Sequence, residues 1–152
     1  YLGFTVEESC GKCSPCRIGN KRLFEILNKI TSGKGTEEDL RKLRDLGQVI
    51  KDTSLCGLGQ TSPNPVLSTL DNFYDEYVAH VTEQRCPAHQ CRDLTVYYIN
   101  PKKCTGCTLC AHVCPVHAIV GERKATHIID PNICIRCGSC LEKCRFGAIY
   151  VY

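Results

Sequence analysis

The sequence predicts an α+β chain. It reads as a small helical bundle over residues 1–80, a connecting segment over 81–96, and two copies of one small unit over 97–152. Three observations predict this. Apolar residues recur at helical spacing between Arg17 and Tyr77. Residues 101–119 and 131–149 repeat with a period of 30. Twelve of the fourteen cysteines fall into three sets of four, two of them inside that repeat.

Taking the elements in order, "RIGNKRLFEILNKITSG" puts Ile18, Leu23, Ile26, Leu27 and Ile30 on one helical face and ends at Gly33, a C-terminal stop. "TEEDLRKLRDLGQVIKD" opens with Thr36 as N-cap and acids in the first turn, then repeats Leu40, Leu43, Leu46 and Ile50. A third helix is expected from Asn64 as cap, with Pro65 at the first helical position, through Leu67, Leu70, Phe73, Tyr74 and Tyr77. Three amphipathic helices make a small bundle. In the repeat, "PKKCTGCTLCAHVCPVHAI" aligns with "PNICIRCGSCLEKCRFGAI". Each copy reads as a short strand ("VYYI", "HIID"), a cysteine loop, a short helix and a second strand ("AIV", "AIYVY").

Composition narrows the chemistry. A density of 14 cysteines in 152 residues belongs either to disulfide-stapled secreted proteins or to intracellular metalloproteins. There is no signal peptide, no apolar run near the roughly 20 residues of a membrane span, and the cysteines recur as CxxC. These features favour metal thiolates in a reducing, cytoplasmic setting. The chain opens at Tyr1 and holds no Met, so it is expected to be a piece of a longer polypeptide. The formal charge of +3 does not argue for nucleic acid, because three four-iron clusters of about −2 each turn it to roughly −3.

The strongest motif is the doubled CxxCxxCxxxC. Three thiolates at two-residue gaps wrap one face of a cube, and the cysteine after the longer gap reaches the other cluster. On that rule Cys104, Cys107, Cys110 and Cys144 hold one [4Fe-4S] cluster, and Cys134, Cys137, Cys140 and Cys114 hold another. Zinc fingers bring their ligands in separated pairs, which disfavours zinc here. A further CxxCxxC at Cys10, Cys13 and Cys16 needs a fourth thiolate. Cys56 in "SLCGLGQ" offers it, flanked by glycines that allow close backbone approach. Taken alone, that CxxCxxC also reads as half a zinc site.

The doubled motif resembles the bacterial two-cluster ferredoxin family over residues 97–152, which implies a βαββαβ fold and one-electron transfer. Pro115 fits that pattern, whereas Arg145 stands where the family has a second proline. "ESCGKCSPCRIG" with "SLCGLGQTSPNP" is similar to the C-terminal cluster domain of the NADH-oxidising flavin subunit of respiratory complex I and its relatives. The order of the two parts resembles the beta subunit of NADH-linked, electron-bifurcating [FeFe]-hydrogenases and of NAD-dependent formate dehydrogenases. That resemblance implies FMN and NAD(H) sites upstream of Tyr1, and three [4Fe-4S] clusters here. The partners it implies are the upstream flavin domain, soluble ferredoxin and other subunits of a hydrogenase or formate dehydrogenase. A stand-alone polyferredoxin carrier is a second reading of the same chemistry. A zinc-binding interaction module is a third, and it calls for basic helices with interleaved aromatics that the sequence lacks. No catalytic constellation is present. His112, His117 and His127 are expected to be surface or packed side chains, and Lys102, Lys103, Arg123 and Lys124 a docking face for an acidic ferredoxin.

Two cysteines remain, in "RCPAHQC". Zinc accepts mixed Cys and His ligands, so Cys86 and Cys91 are expected to bind Zn²⁺ with a histidine; two packed thiols are the bland alternative. His80 closes such a site with less strain than His89, which only Gln90 separates from Cys91. The resemblance leans to His80 as well, with His89 as the alternative and the fourth ligand open.

Overall fold

The computed structural model describes residues 1–152 and divides into two compact units, Tyr1–Pro87 and Ala88–Tyr152. The first is helical: α1 (Leu2–Glu7), α2 (Asn20–Thr31), α3 (Glu37–Thr53), α4 (Gly57–Thr61), α5 (Asn64–Asn72) and α6 (Tyr74–Thr82). A π-helical turn, Pro15–Gly19, leads into α2. Its core is built from Leu2, Leu23, Ile30, Leu40, Leu43, Ile50, Val66 and Leu70, with Ile26, Leu27, Leu46 and Tyr77 packed around them. Burying each of these side chains contributes about 1.5–3 kcal/mol, so the aliphatic stripes of α2, α3 and α5 hold the unit together.

Capping fixes the ends. Thr36 and Asp39 form a reciprocal capping box at the start of α3, and Lys29 closes a 2.6 Å ion pair onto the same Asp39 carboxylate. Burial alone raises the Asp39 pKa, but the bonds from Lys29 and Thr36 outweigh it and hold the carboxyl below its ordinary value. Gly33 takes the left-handed conformation after α2, and Lys34 N–H returns to the Lys29 carbonyl.

Three sequence expectations change. Ile18 lies in the π-helical turn and is half exposed, because the wider turn rotates it off the apolar stripe of α2. The third helix is broken at Phe73, whose backbone leaves the helical region, so Phe73 and Tyr74 end up exposed rather than on a core face. Pro63, already near-helical, takes the N-cap position; α5 therefore starts one residue early, and Asn64 makes no cap. The short helices α1 and α4 lie outside the periodic stretches.

The second unit runs β1 (Tyr97–Ile99), α7 (Leu109–His112), β2 (Ile119–Val120), β3 (Ile128–Ile129), α8 (Ser139–Lys143) and β4 (Ile149–Val151), after a 3-10 turn at Arg92–Leu94. Strand β1 pairs antiparallel with β4, Tyr97 opposite Val151. Strand β2 pairs antiparallel with β3, Ile119 opposite Ile129. Its apolar core is small, formed by Ile119, Ile129 and Ile149 together with Cys110 and Cys140. Cysteines are thus part of the core itself.

Candidate metal centres

In the second unit the two repeats fold into near-copies down to their backbone exceptions. Gly106 and Arg136, Thr108 and Gly138, and His117 and Gly147 occupy matching places in the repeat, and all six have positive φ. Such residues turn each cysteine loop back on itself. At Gly106 a side chain is also sterically excluded, since a Cβ there would stand 2.5 Å from the Ala125 backbone nitrogen.

The loops enclose two cavities. Cys104, Cys107, Cys110 and Cys144 line one, with Ile99, Phe146 and His127 in its wall. Cys114, Cys134, Cys137 and Cys140 line the other, with Ile129, Val116 and Tyr97 at the matching places. Each cavity thus takes three cysteines from one repeat and the fourth from its twin. Backbone amides already point at the sulfurs: Ala118 N–H donates to Cys114 Sγ at 3.2 Å, its twin Ala148 N–H to Cys144 Sγ at 3.3 Å, and Arg136 N–H to Cys134 Sγ at 3.4 Å. Burial pushes the Cys110 thiol up and the Cys140 thiol to about 11. The hydroxyl and backbone N–H of Ser139 hold the exposed Cys137 thiol down. Burial, and then the charges of Cys140, Cys134 and Cys137, raise the Tyr97 pKa.

In the first unit the π-helical turn carries Cys16 inward to 4% exposure, while Cys10 and Cys56 stay at the surface. Backbone N–H groups of Leu55 and Cys16 hold the Cys13 thiol below its ordinary value, which places the Cys10–Cys16 loop beside the chain that carries Cys56. Asn20 donates to Cys16 Sγ at 3.5 Å and accepts from the Ser62 hydroxyl at 2.7 Å, both side chains being fully buried. Ser9 lies 3.4 Å from the same sulfur. Gly59 permits the close packing, because a Cβ there would meet Ser54 at 2.5 Å and Cys16 at 3.2 Å. Sequence reasoning missed Asn20 and Ser62. Asn20 carried a legible signal, a polar residue one helical turn after a motif cysteine on an otherwise apolar stripe; Ser62 carried none.

The ligand atoms of His80, Cys86 and Cys91 all lie within 4.8 Å of one another. A tetrahedral ion with bonds of about 2.0–2.3 Å sets its ligand atoms about 3.3–3.8 Å apart, so ligand atoms within 4.8 Å of one another suit a single ion. His80 Nδ1 sits 2.6 Å from the Glu76 carbonyl, and an Nδ1–H donated there leaves Nε2 for the metal. His89 is exposed, has φ of 53° and is not among the group. His112 and His117 are exposed, whereas His127 is buried.

Sequence comparison agrees with a cysteine-rich iron–sulfur chain. Residues 1–80 match the family described as the NADH-ubiquinone oxidoreductase-F iron-sulfur binding region. The chain belongs to that family. Residues 103–149 match a 4Fe-4S dicluster domain. The chain is 59% identical over 149 residues to the NADP-reducing hydrogenase subunit HndC of Solidesulfovibrio fructosivorans, covering 98% of this chain and 30% of that protein. It is 44% identical over 87 residues to an NADH-quinone oxidoreductase subunit of Mycobacterium bovis, which is 57% of this chain and 20% of the relative. It is likewise 44% identical over 76 residues to the beta subunit of the NADP(+)-dependent formate dehydrogenase of Moorella thermoacetica, 50% of this chain and 11% of that protein. The chain therefore spans less than a third of the length of these curated relatives. It is an iron–sulfur segment of the kind found in such subunits, and no helix in it is long and apolar enough to cross a membrane.

Proposed function

We propose that this segment relays electrons through three [4Fe-4S] clusters, held by Cys10, Cys13, Cys16 and Cys56, by Cys104, Cys107, Cys110 and Cys144, and by Cys134, Cys137, Cys140 and Cys114. The observation that carries this reading is the pair of cavities lined by four cysteines each. Soft sulfur donors in fours around one cavity, with backbone amides aimed at three of them, fit iron–sulfur clusters. When bound, the clusters supply one-electron chemistry. The chain's own contribution is to wrap them in left-handed loops, exclude water with Ile99, Ile129 and Phe146, and stabilise charge on sulfur through the Ala118 and Ala148 amides.

The relay runs between a flavin and NAD(H) site on sequence outside these residues and either ferredoxin or a hydrogenase subunit, with electron bifurcation as the whole enzyme's activity. A hydrogenase setting is favoured over a formate dehydrogenase because the hydrogenase relative aligns across 98% of the chain and the formate dehydrogenase relative across 50%. His80, Cys86 and Cys91 hold a structural Zn²⁺, with a fourth ligand still open.

Anaerobic metal and sulfide analysis tests the scheme. The expected content is about twelve irons and one zinc per chain. His80→Ala is expected to lose the zinc and keep the iron, and His89→Ala to keep both. Zinc without iron in the unsubstituted chain overturns the electron-transfer reading.

A further inference from the structure

His127 is set apart from every other histidine in the chain. It is 1% exposed, its Nδ1 stands 3.1 Å from the Ala125 carbonyl, and its Nε2 is a buried nitrogen with no partner in the protein. A buried polar atom left without a hydrogen bond costs about 1–3 kcal/mol, so this nitrogen calls for a partner that the protein itself does not supply. The ring lines the cavity of Cys104, Cys107, Cys110 and Cys144. One period of the repeat earlier, Tyr97 lines the other cavity instead. Tyr97 projects its hydroxyl toward Gly138, 3.4 Å from where a Cβ would stand, so the two cavities differ in wall chemistry where their backbones are twins. Gly121 makes room for the imidazole, since a Cβ there would stand 2.7 Å from His127 Cγ and 2.9 Å from its Nδ1.

We propose that His127 donates a hydrogen bond from Nε2 to a sulfur of the cluster held by Cys104, Cys107, Cys110 and Cys144, and thereby raises the reduction potential of that cluster. The inference rests on that cluster being present. A proton on Nε2 makes this nitrogen the donor, and a cluster sulfur the acceptor that the protein does not supply. A donor of this kind stabilises the reduced, more negative state more than the oxidised one. His127 is a positioning and tuning residue, since all four thiolate places are already filled.

The test is an EPR-monitored redox titration of the cluster-loaded protein at one fixed pH, with the signal of this cluster identified by its loss in Cys107→Ala. His127→Phe is expected to shift its redox equilibrium about tenfold toward the oxidised form, which is about 59 mV downward for one electron. The signal of the other cluster stays where it was, and His127→Gln, which keeps a donor, recovers most of the shift. If His127→Phe loses iron, the smaller His127→Leu, which also lacks a donor, gives the same reading. An unmoved potential with iron intact overturns the inference, as does an equal shift in both clusters. An unsubstituted chain without iron at these cysteines overturns the functional reading itself, and the inference with it.

Discussion

Cys144 lies four residues before Ala148 and thirty after Cys114, yet it lines a cavity with Cys104, Cys107 and Cys110 and not with the cysteines of its own loop. Helix α8 intervenes, and it turns the cysteine after the longer gap away from the loop that precedes it. Cluster content in double variants reads this arrangement directly. Cys107→Ala with Cys144→Ala is expected to remove one cluster, about four irons, no more than either change alone; Cys107→Ala with Cys114→Ala is expected to remove two. Loss of two clusters in the first pair would assign Cys144 to its own loop. At this scale the cysteine spacings were legible, and the histidine that the sequence favoured, His80, is the one whose ring nitrogen lies near Cys86 and Cys91, while His89 stands apart. His127 was legible only as a packed residue. Its cavity is made by chain far from it in sequence, and nothing in "ATHIID" announces an unpartnered nitrogen.

Among the elements, the loops and caps bear the strain. Gly106 combines φ of 67° with backbone 2.5 Å from any added Cβ, while Gly138 has φ of 80° and only the Tyr97 hydroxyl nearby, at 3.4 Å. Gly106→Ala is therefore expected to abolish loading of the cluster of Cys104, whereas Gly138→Ala costs about 1–2 kcal/mol and keeps the iron. Iron content and thermal unfolding of the two variants distinguish these outcomes. At the start of α3, Asp39→Asn removes the Lys29 ion pair and half of the capping box, and should cost about 1–2 kcal/mol in denaturant unfolding of the helical unit. The Asp39 carboxyl is held below its ordinary value of 3.8, so its contribution is complete above that pH and is lost as the pH falls through the lower folded value. The gap between the two proteins should accordingly be constant above about pH 5 and close in stronger acid. Periodicity revealed α2 and α3 but not the break at Phe73, because "DNFYDE" continues the apolar spacing while the backbone at Phe73 leaves the helix.

Across the whole molecule, charge and cofactor act in opposite directions. With the three proposed clusters bound, the formal +3 would become roughly −3, so attraction for an acidic one-electron carrier would come from a local patch. Lys102, Lys103, Arg123 and Lys124 are all exposed in the second unit, with Lys103 Nζ 5.0 Å above the Tyr150 ring. Replacing the four by Gln is expected to slow electron exchange with soluble ferredoxin several-fold at low salt. The difference should vanish near 1 M salt, where the screening length is about 3 Å. Rates that keep their salt dependence after the replacement would exclude this face. By itself the sequence determined the chemistry: cysteines at two-residue gaps, a 30-residue repeat and amphipathic helices leave few alternatives, because ligand identity and spacing are local properties. Only the tertiary structure decided which side chains stand around the cysteines: Ser62 bonded to the Asn20 that touches Cys16, and imidazole in one cavity wall where its twin has phenol. Those groupings depend on long-range packing, and no local pattern along the chain encodes them.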